Sequence, residues 1–290
     1  MTSETSFEPV DLFFTVDNPE DGDDSKKCPI IFIHGFFSTH RTWNFVRNKM
    51  ANKTKRKVYS LDLRNHGESG RSEMFALKGV MVDIENFMES QHIEKAIFVA
   101  HSIGSKAVMA LALEKPELVE KLVVEDMTVT NLADHDKHIK RFQLFITTCD
   151  RYIRNAPNDI SESNFNKKTS AVMRNFFPEI SGTSGDNIIS LPLKKDKSGK
   201  LTWDLNIDAI IHYLNNDHLF YIDLSNDPKY FGKALFLFGD KTPMRMEENK
   251  DTTLKYFPNA QFFVFKGGFH TFHLEFTELF MEVVSKFIED

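Results

Sequence analysis

Five residues, Ala100-His101-Ser102-Ile103-Gly104, carry the strongest chemical signal in the chain. They follow the apolar run Ala96-Ile97-Phe98-Val99 and lead into Ser105-Lys106-Ala107-Val108-Met109-Ala110-Leu111. A buried strand, a serine between small residues and then a helix describe a tight turn that lifts a hydroxyl above a sheet. The small flanks have a steric cause, because such a turn presses the incoming strand against the outgoing helix and leaves room only for Gly or Ala two residues either side. A serine that merely caps a helix leaves a similar local trace, so the partners elsewhere in the chain decide.

A serine hydroxyl attacks an acyl carbon efficiently when a base takes its proton, a carboxylate holds the base, and two N–H groups receive the developing oxyanion. The backbone of Ile103 offers one N–H at the start of the helix, and Phe36, after His34-Gly35, offers the second. His270, in the loop Gly267-Gly268-Phe269-His270, is the expected base, late in the chain as a serine, acid, histidine order requires. His273 is the second choice. His40, His92, His135, His138, His212 and His218 fall in helical or surface settings, and His101 points to the opposite side of the turn from the serine. Two residues compete as the acid. Asp126 ends the apolar run Leu122-Val123-Val124, the strand after the serine turn, whereas Asp240 follows Phe238-Gly239. A Gly-x-x-Asp placement counted from Gly239 falls on Thr242, two residues beyond Asp240, so spacing favours Asp126 and keeps Asp240 as the alternative.

The elements that must position these groups are short apolar runs alternating with helical patterns. Strands are expected over residues 10–16, 29–33, 58–63, 96–99, 122–124, 234–238 and 261–265, several without polar alternation, the mark of strands covered on both faces. Helices are expected over 43–50, 77–88, from the elbow to just before Pro116, over 246–256, and through Phe276, Leu279, Phe280, Val283, Phe287 and Ile288 at the end. Such alternation predicts an α/β fold with a doubly wound, mostly parallel sheet, whose active groups gather at the carboxyl ends of the strands. Residues 1–8 read as a disordered lead, 9–126 and 231–290 as the core, and 127–230 as a mainly helical cap insertion. That insertion carries a stripe at Ile139, Phe142, Phe145, Ile146, Cys149 and Ile153, and a hairpin pairing 191–194 with 201–205 around a charged turn.

Composition narrows the classes. The 290 residues are 41% hydrophobic, enough for a full core, and Phe occurs 28 times, so packing leans on aromatic rings. A net charge of -6 and a pI near 6.0, with Lys and Arg dispersed, argue against a nucleic-acid or anionic-membrane partner. The two cysteines, Cys28 and Cys149, have no metal spacing and read as free thiols in a reducing compartment. No apolar run approaches the ~20 residues of a membrane span and the N-terminus lacks an apolar h-region, so an intracellular protein is expected, cytoplasmic if Met1 is the native start. No residue pattern calls for a metal, flavin or nicotinamide cofactor.

His34-Gly35-x-x-Ser38, the loop Asp62-Leu63-Arg64-Asn65-His66-Gly67-Glu68-Ser69, the turn His101-Ser102-Ile103-Gly104-Ser105-Lys106 and the stretch His270-Thr271-Phe272-His273-Leu274-Glu275 together resemble the α/β-hydrolase superfamily. The Arg-Asn-His-Gly loop with Lys106 looks most like the branch holding mitochondrial esterases and ethanol acetyltransferases. The similarity runs from about residue 10 to the C-terminus and is weakest in the insertion. Ala100 stands for a glycine, Ser38 for the second glycine of H-G-x-x-G, and Thr277 where a proline is common. The resemblance implies an α/β-hydrolase fold, a mitochondrial location, and a Ser102, Asp126, His270 triad, the acid of that branch lying after the strand that follows the serine. The expected activity is a serine hydrolase cleaving carboxylic esters or thioesters of small molecules through an acyl-enzyme. Two alternatives stand beside it. An alcohol acetyltransferase would pass the acyl group from acetyl-CoA to an alcohol such as ethanol, with Phe142, Phe145, Phe165, Phe176 and Phe177 drying the site. A non-catalytic ligand receptor on a hydrolase fold is the second. A dehalogenase or epoxide hydrolase would need an aspartate where Ser102 stands.

Overall fold

The computed structural model describes residues 7–24, 26–130, 135–157, 159–176, 191–215, 221–242, 244 and 246–290. The core elements begin with β1 (Phe14–Asp17), β2 (Ile30–Ile33), α1 (Arg47–Thr54), β3 (Val58–Leu61), α2 (Leu77–Ser90), β4 (Ala96–His101), α3 (Ile103–Glu114) and β5 (Val119–Glu125). After β5 come α4 (His135–Arg154), α5 (Glu162–Phe176), the hairpin β6 (Leu193–Lys195) and β7 (Leu201–Trp203), and α6 (Ile207–Leu214). The chain then returns with β8 (Lys233–Gly239), α7 (Met246–Tyr256), β9 (Ala260–Phe265), α8 (Phe272–Glu275) and α9 (Thr277–Glu289).

One sheet has the order β1-β3-β2-β4-β5-β8-β9. Only β1 runs antiparallel, against β3, and every other neighbouring pair is parallel. The continuous apolar runs have the predicted cause. Ile31, Ile33, Phe98, Ala100, Leu122 and Val124 face the cluster holding α2 and α3, while Ile30, Phe32, Ile97, Val99 and Val123 face the one holding α1 and α9. Each residue along these strands is therefore covered, on one face or the other. From β2 the chain goes to β3 on one side and then to β4 on the other, so β2 and β4 flank the point where the winding reverses. Ligand crevices of open α/β sheets lie at that point. Here it brings the segment after β2, His34 to Phe37, beside the serine after β4.

Two expected elements differ. The first strand is predicted from Val10, yet its ladder starts at Phe14. Val10 donates its backbone N–H to the Asp83 carboxylate (2.8 Å) and Phe13 to the Ser69 hydroxyl (2.8 Å), so side chains take the bonds a neighbouring strand would supply. Arg64 bonds the Asp83 anchor through Nε (2.5 Å) and Nη2 (2.7 Å) and also reaches the Glu8 carbonyl (3.1 Å), while the Ser69 hydroxyl donates to the Asp62 carbonyl (2.6 Å). Trp43 sits in a single 3-10 turn, His40–Trp43, ahead of α1, because the Thr39 hydroxyl caps that turn from outside. Residues 1–6 of the expected lead lie outside the described residues.

The segment between β5 and β8 meets the core through aromatic rings and polar ties. Phe145, Ile146, Cys149 and Ile153 of α4 are buried as the stripe predicts, and Phe142 lies 5.4 Å from both Phe36 and Phe37, ring to ring. Asp204 and Asn65 backbone carbonyls accept from Gly67 (2.8 Å) and Asn206 (2.8 Å), joining this segment to the loop after β3. The side chains of Ile139 and Phe176, and all of Phe177, lie outside the described residues. No helix among the described residues is long and apolar enough to cross a membrane.

Candidate active site

Ser102 stands between β4 and α3 with φ 52 and ψ -120, a backbone region that L residues avoid. Several bonds hold it there. Its N–H donates to the Glu125 carbonyl (2.9 Å), and the Ser105 hydroxyl donates to the Ala100 carbonyl (2.5 Å) while accepting from the Glu125 N–H (3.2 Å). The steric reading of the turn also holds. A Cβ on Gly104 would lie 2.5 Å from the His34 carbonyl oxygen, and one on Gly35 would lie 2.3 Å from His101 Nδ1. At position 100 the extra methyl is accommodated in full burial, so an alanine serves where a glycine is usual.

His270 follows β9 and reaches back to the serine. Its Nδ1 lies 2.5 Å from Asp126 Oδ2 and its Nε2 lies 3.1 Å from Ser102 Oγ. With Nδ1–H donating to the carboxylate, Nε2 is left to accept the serine proton. Three backbone N–H groups, of Phe269, His270 and Thr271, converge on the Glu275 carboxylate at 2.7 to 3.1 Å and fix the loop. The ring of His101 donates from Nε2 to the His270 carbonyl (2.8 Å), with the two rings 4.6 Å apart. His101 thus bonds the His270 backbone and not the serine, a contact that local sequence does not reveal.

Asp126 is fully buried at the end of β5, with φ 51. Its Oδ2 accepts a second bond, from the Thr242 hydroxyl (2.6 Å). Thr242 is the position a Gly-x-x-Asp placement would give to the acid, and here its hydroxyl bonds the candidate acid at the end of β5. Asp240 is exposed, and its Oδ1 accepts from the Gly267 N–H (2.7 Å), so it caps the loop after β9 and is not brought to His270. Ile103 is the first residue of α3, where a helical N–H has no acceptor one turn back. Phe36 sits in the turn after β2, its ring half-buried against His66 and Phe142.

Beside this array lies a second carboxylate–histidine pair. His273 Nδ1 contacts Glu125 Oε2 (2.8 Å), its Nε2 contacts the Thr42 hydroxyl (2.8 Å), and its ring packs 4.3 Å from Trp43. The runner-up base is therefore committed elsewhere. Of the other discounted histidines, His92 and His212 are exposed, but His40 is buried and bonds Asp62 through Nδ1 (2.9 Å). A signal for the second pair exists in sequence: two adjacent carboxylates at a strand end answer two histidines three residues apart.

Electrostatics separate these groups. Burial pulls the His270 pKa down, but the hydrogen bond and charge of Asp126, helped by Glu125 and Glu275, hold it above the ordinary histidine value. Burial raises Asp126, partly offset by its bonds from His270 and Thr242. His101 is held well below the ordinary value by burial and by neighbouring His270 and His273, and burial brings His66 down to about 3. Both shifts favour the neutral ring. Burial likewise lifts the thiols of Cys28 and Cys149 to about 11 and about 12, so neither competes as a nucleophile.

The model of the alpha/beta hydrolase fold family matches residues 29–277, and the chain belongs to that family. It is 26% identical over 259 residues to an sn-1-specific diacylglycerol lipase of Mus musculus, covering 89% of this chain and 80% of that one. It is 27% identical over 266 residues to a probable alcohol acetyltransferase of Wickerhamomyces anomalus, covering 85% and 72% of the two chains. Among solved structures, a marine microorganism esterase superposes with a TM-score of 0.73 at 21% identity, over 96% of this chain and 99% of its own.

Proposed function

We propose that this chain is a serine hydrolase that cleaves carboxylic esters or thioesters of small molecules through an acyl-enzyme. The observation that carries the reading is the in-line contact of three side chains, Asp126 Oδ2 to His270 Nδ1 at 2.5 Å and His270 Nε2 to Ser102 Oγ at 3.1 Å. In the first half-reaction Ser102 Oγ bonds to the substrate carbonyl carbon as its proton passes to His270 Nε2. Asp126 steadies the imidazolium that results, and the N–H groups of Ile103 and Phe36 receive the oxyanion. Collapse breaks the bond to the leaving alcohol or thiol, which takes the proton from His270 and departs. Water then repeats the sequence on the acyl-serine, giving the carboxylic acid and free Ser102. The lipase relative is consistent with ester substrates.

A second reading differs only in the acceptor: an alcohol takes the acyl group, with acetyl-CoA as donor. It is favoured by the alcohol acetyltransferase relative and by the ring of Phe142 set against Phe36 and Phe37 beside the proposed oxyanion donor. One experiment tests both. Turnover of p-nitrophenyl acetate is followed for wild type and Ser102→Ala with and without ethanol, measuring nitrophenol and ethyl acetate. The expected result is a fall on the order of 10⁵-fold or more in kcat for Ser102→Ala, with the share of ethyl acetate reporting the acceptor. Equal activity in both proteins, or no reaction of wild type with a serine-directed phosphonate, overturns the reading in favour of a non-catalytic ligand receptor.

A further inference from the structure

Lys106 lies one helical turn beyond Ser102 on α3, its own N–H bonded to the Ser102 carbonyl (3.1 Å), and it is 1% exposed. Its ammonium donates to three consecutive backbone carbonyls, Thr128 (2.9 Å), Val129 (2.9 Å) and Thr130 (3.2 Å). The first of these carbonyls is only two residues beyond Asp126. The Thr128 hydroxyl also turns onto the Thr130 carbonyl (2.7 Å), so this short stretch curls around the amine. Asp126 itself is held through one oxygen only: Oδ2 takes the bonds from His270 and Thr242, while Oδ1 is buried without a hydrogen-bond partner. The direction of its carboxylate therefore depends on the backbone that leads away from it.

We propose that Lys106 is a positioning residue, whose charged amine ties the 128–130 segment to the elbow helix and so sets the distance from Asp126 through His270 to Ser102. The inference rests on the proposed role of those three residues. The physical argument is one of convergence. Three carbonyl dipoles aimed at one buried point repel each other unless a cation with three N–H donors sits there, and a neutral amine offers only two. No carboxylate of α2, β4, β5 or α7 among the described residues pairs with the amine. Asp126, two residues before Thr128, is the ionisable group nearest in sequence to residues 128–130, and Asn249 of α7 meets the segment as a neutral side chain, through the Thr130 hydroxyl (3.4 Å). Burial alone brings the lysine pKa down to about 7. The relay should then be best held on the acid side of neutrality and loosen as pH rises and the third donor is lost.

The test is the pH profile of kcat and kcat/KM for wild type, Lys106→Met and Lys106→Gln, with Ser102→Ala run alongside. Wild type should show a rising limb, as His270 becomes neutral, and a falling limb near neutrality. Both variants should lose the falling limb and, at the wild-type optimum, lose between about 10- and 100-fold in kcat, the scale of a misplacement made away from the reacting atoms. Their KM should stay within about twofold, since Lys106 touches no substrate. A residue that only supported the fold would lower stability without changing the shape of the profile. If Lys106→Met does not fold, the wild-type curve decides: a rate that stays flat from neutrality to about pH 9 overturns the proposal. So does a variant that keeps the falling limb, or Lys106→Gln with wild-type kcat. Ser102→Ala that retains full turnover would instead overturn the underlying reading.

Discussion

Asp126 with His270 and Glu125 with His273 are neighbours built from the same parts, two adjacent carboxylates at one strand end and two histidines three residues apart, one in the loop after β9 and one in α8. Each histidine bonds its carboxylate through Nδ1 and a hydroxyl through Nε2. They differ in what surrounds them. The His270 side chain is 32% exposed and ends on Ser102, whose strained backbone opens onto the start of a helix. The Glu125 and His273 side chains are 0% exposed and end on Thr42, whose N–H already donates to the Thr39 carbonyl (3.1 Å) within a closed turn. A carboxylate–histidine–hydroxyl line is therefore insufficient for the proposed chemistry. Access for an acyl group and free N–H donors beside the hydroxyl complete it, and only the first pair has an open face.

The sharpest way to break the comparison is to disable one member of each pair. Asp126→Asn keeps the shape but presents the wrong hydrogen-bonding group to His270, and kcat should fall by about 10⁴-fold. Because the Thr242 hydroxyl sits 2.6 Å from Asp126 Oδ2, a carboxylate at position 242 can approach the same imidazole from the end of β8. Adding Thr242→Asp to Asp126→Asn should restore about 10² of the lost rate, as measured by active-site-titrated turnover. No recovery would mean that the carboxylate must arrive from β5.

In the sealed pair the same operation should act on stability. His273→Phe preserves most of the volume but leaves the Glu125 carboxylate buried without its ring partner, a change worth about 3–5 kcal/mol. Urea unfolding should show that loss, while the folded fraction keeps kcat within about tenfold. A rate loss as large as that of Asp126→Asn would place His273 in the chemistry and dissolve the contrast.

A smaller effect concerns the proton itself. His270 has a raised pKa, so its charged form adds stability at low pH, and that contribution is withdrawn as pH rises through the folded value. In the proposed mechanism turnover needs the neutral ring and should appear over the same window. Thr242→Ala removes a donor from Asp126, leaves more of the carboxylate charge for the imidazolium, and should move the rising limb upward by less than about one pH unit. A downward shift would show that Thr242 acts by placing the carboxylate instead of damping its charge.

How much of this was legible follows from how local each signal is. The turn at Ser102 is written in five contiguous residues, and His270 in a loop after the last strand, so both were accessible from chain order and strand ends. The doubly wound, mostly parallel character of the sheet follows from alternation, whereas the strand order comes from the structure, and the family match bears out the resemblance. The acid stayed ambiguous because Asp126 and Asp240 both follow strands. The structure brings Asp126 to His270 and leaves Asp240 on Gly267, and Thr242, at the usual position of a carboxylate, bonds Asp126. Glu275 beneath the His270 loop, His101 on the His270 carbonyl, and Lys106 under residues 128–130 were out of reach in different ways. Each is recognised by where its polar atoms end, and for His101 and Lys106 those partners are 169 and more than 20 residues away. The first strand starts later than the sequence predicts for a related reason: the Val10 N–H is taken by the Asp83 carboxylate, not by a neighbouring strand.

Asp240 allows the comparison to be tested where the least is expected. Its Oδ1 accepts from Gly267, whose φ of 77 marks the tight turn between β9 and the His270 loop. Asp240→Asn keeps an oxygen acceptor there and should cost only a few tenths of a kcal/mol, while Asp240→Ala gives up the bond and about 1 kcal/mol. The turn is solvent-exposed, so water can replace the lost partner, and His270 remains held by Glu275 and His101. Neither substitution should change kcat by more than about twofold, since no charge near the reacting atoms is altered. A drop approaching that of Asp126→Asn would transfer the acid to Asp240, and the contact at 2.5 Å between Asp126 and His270 would then be a structural bond like its neighbour at Glu125.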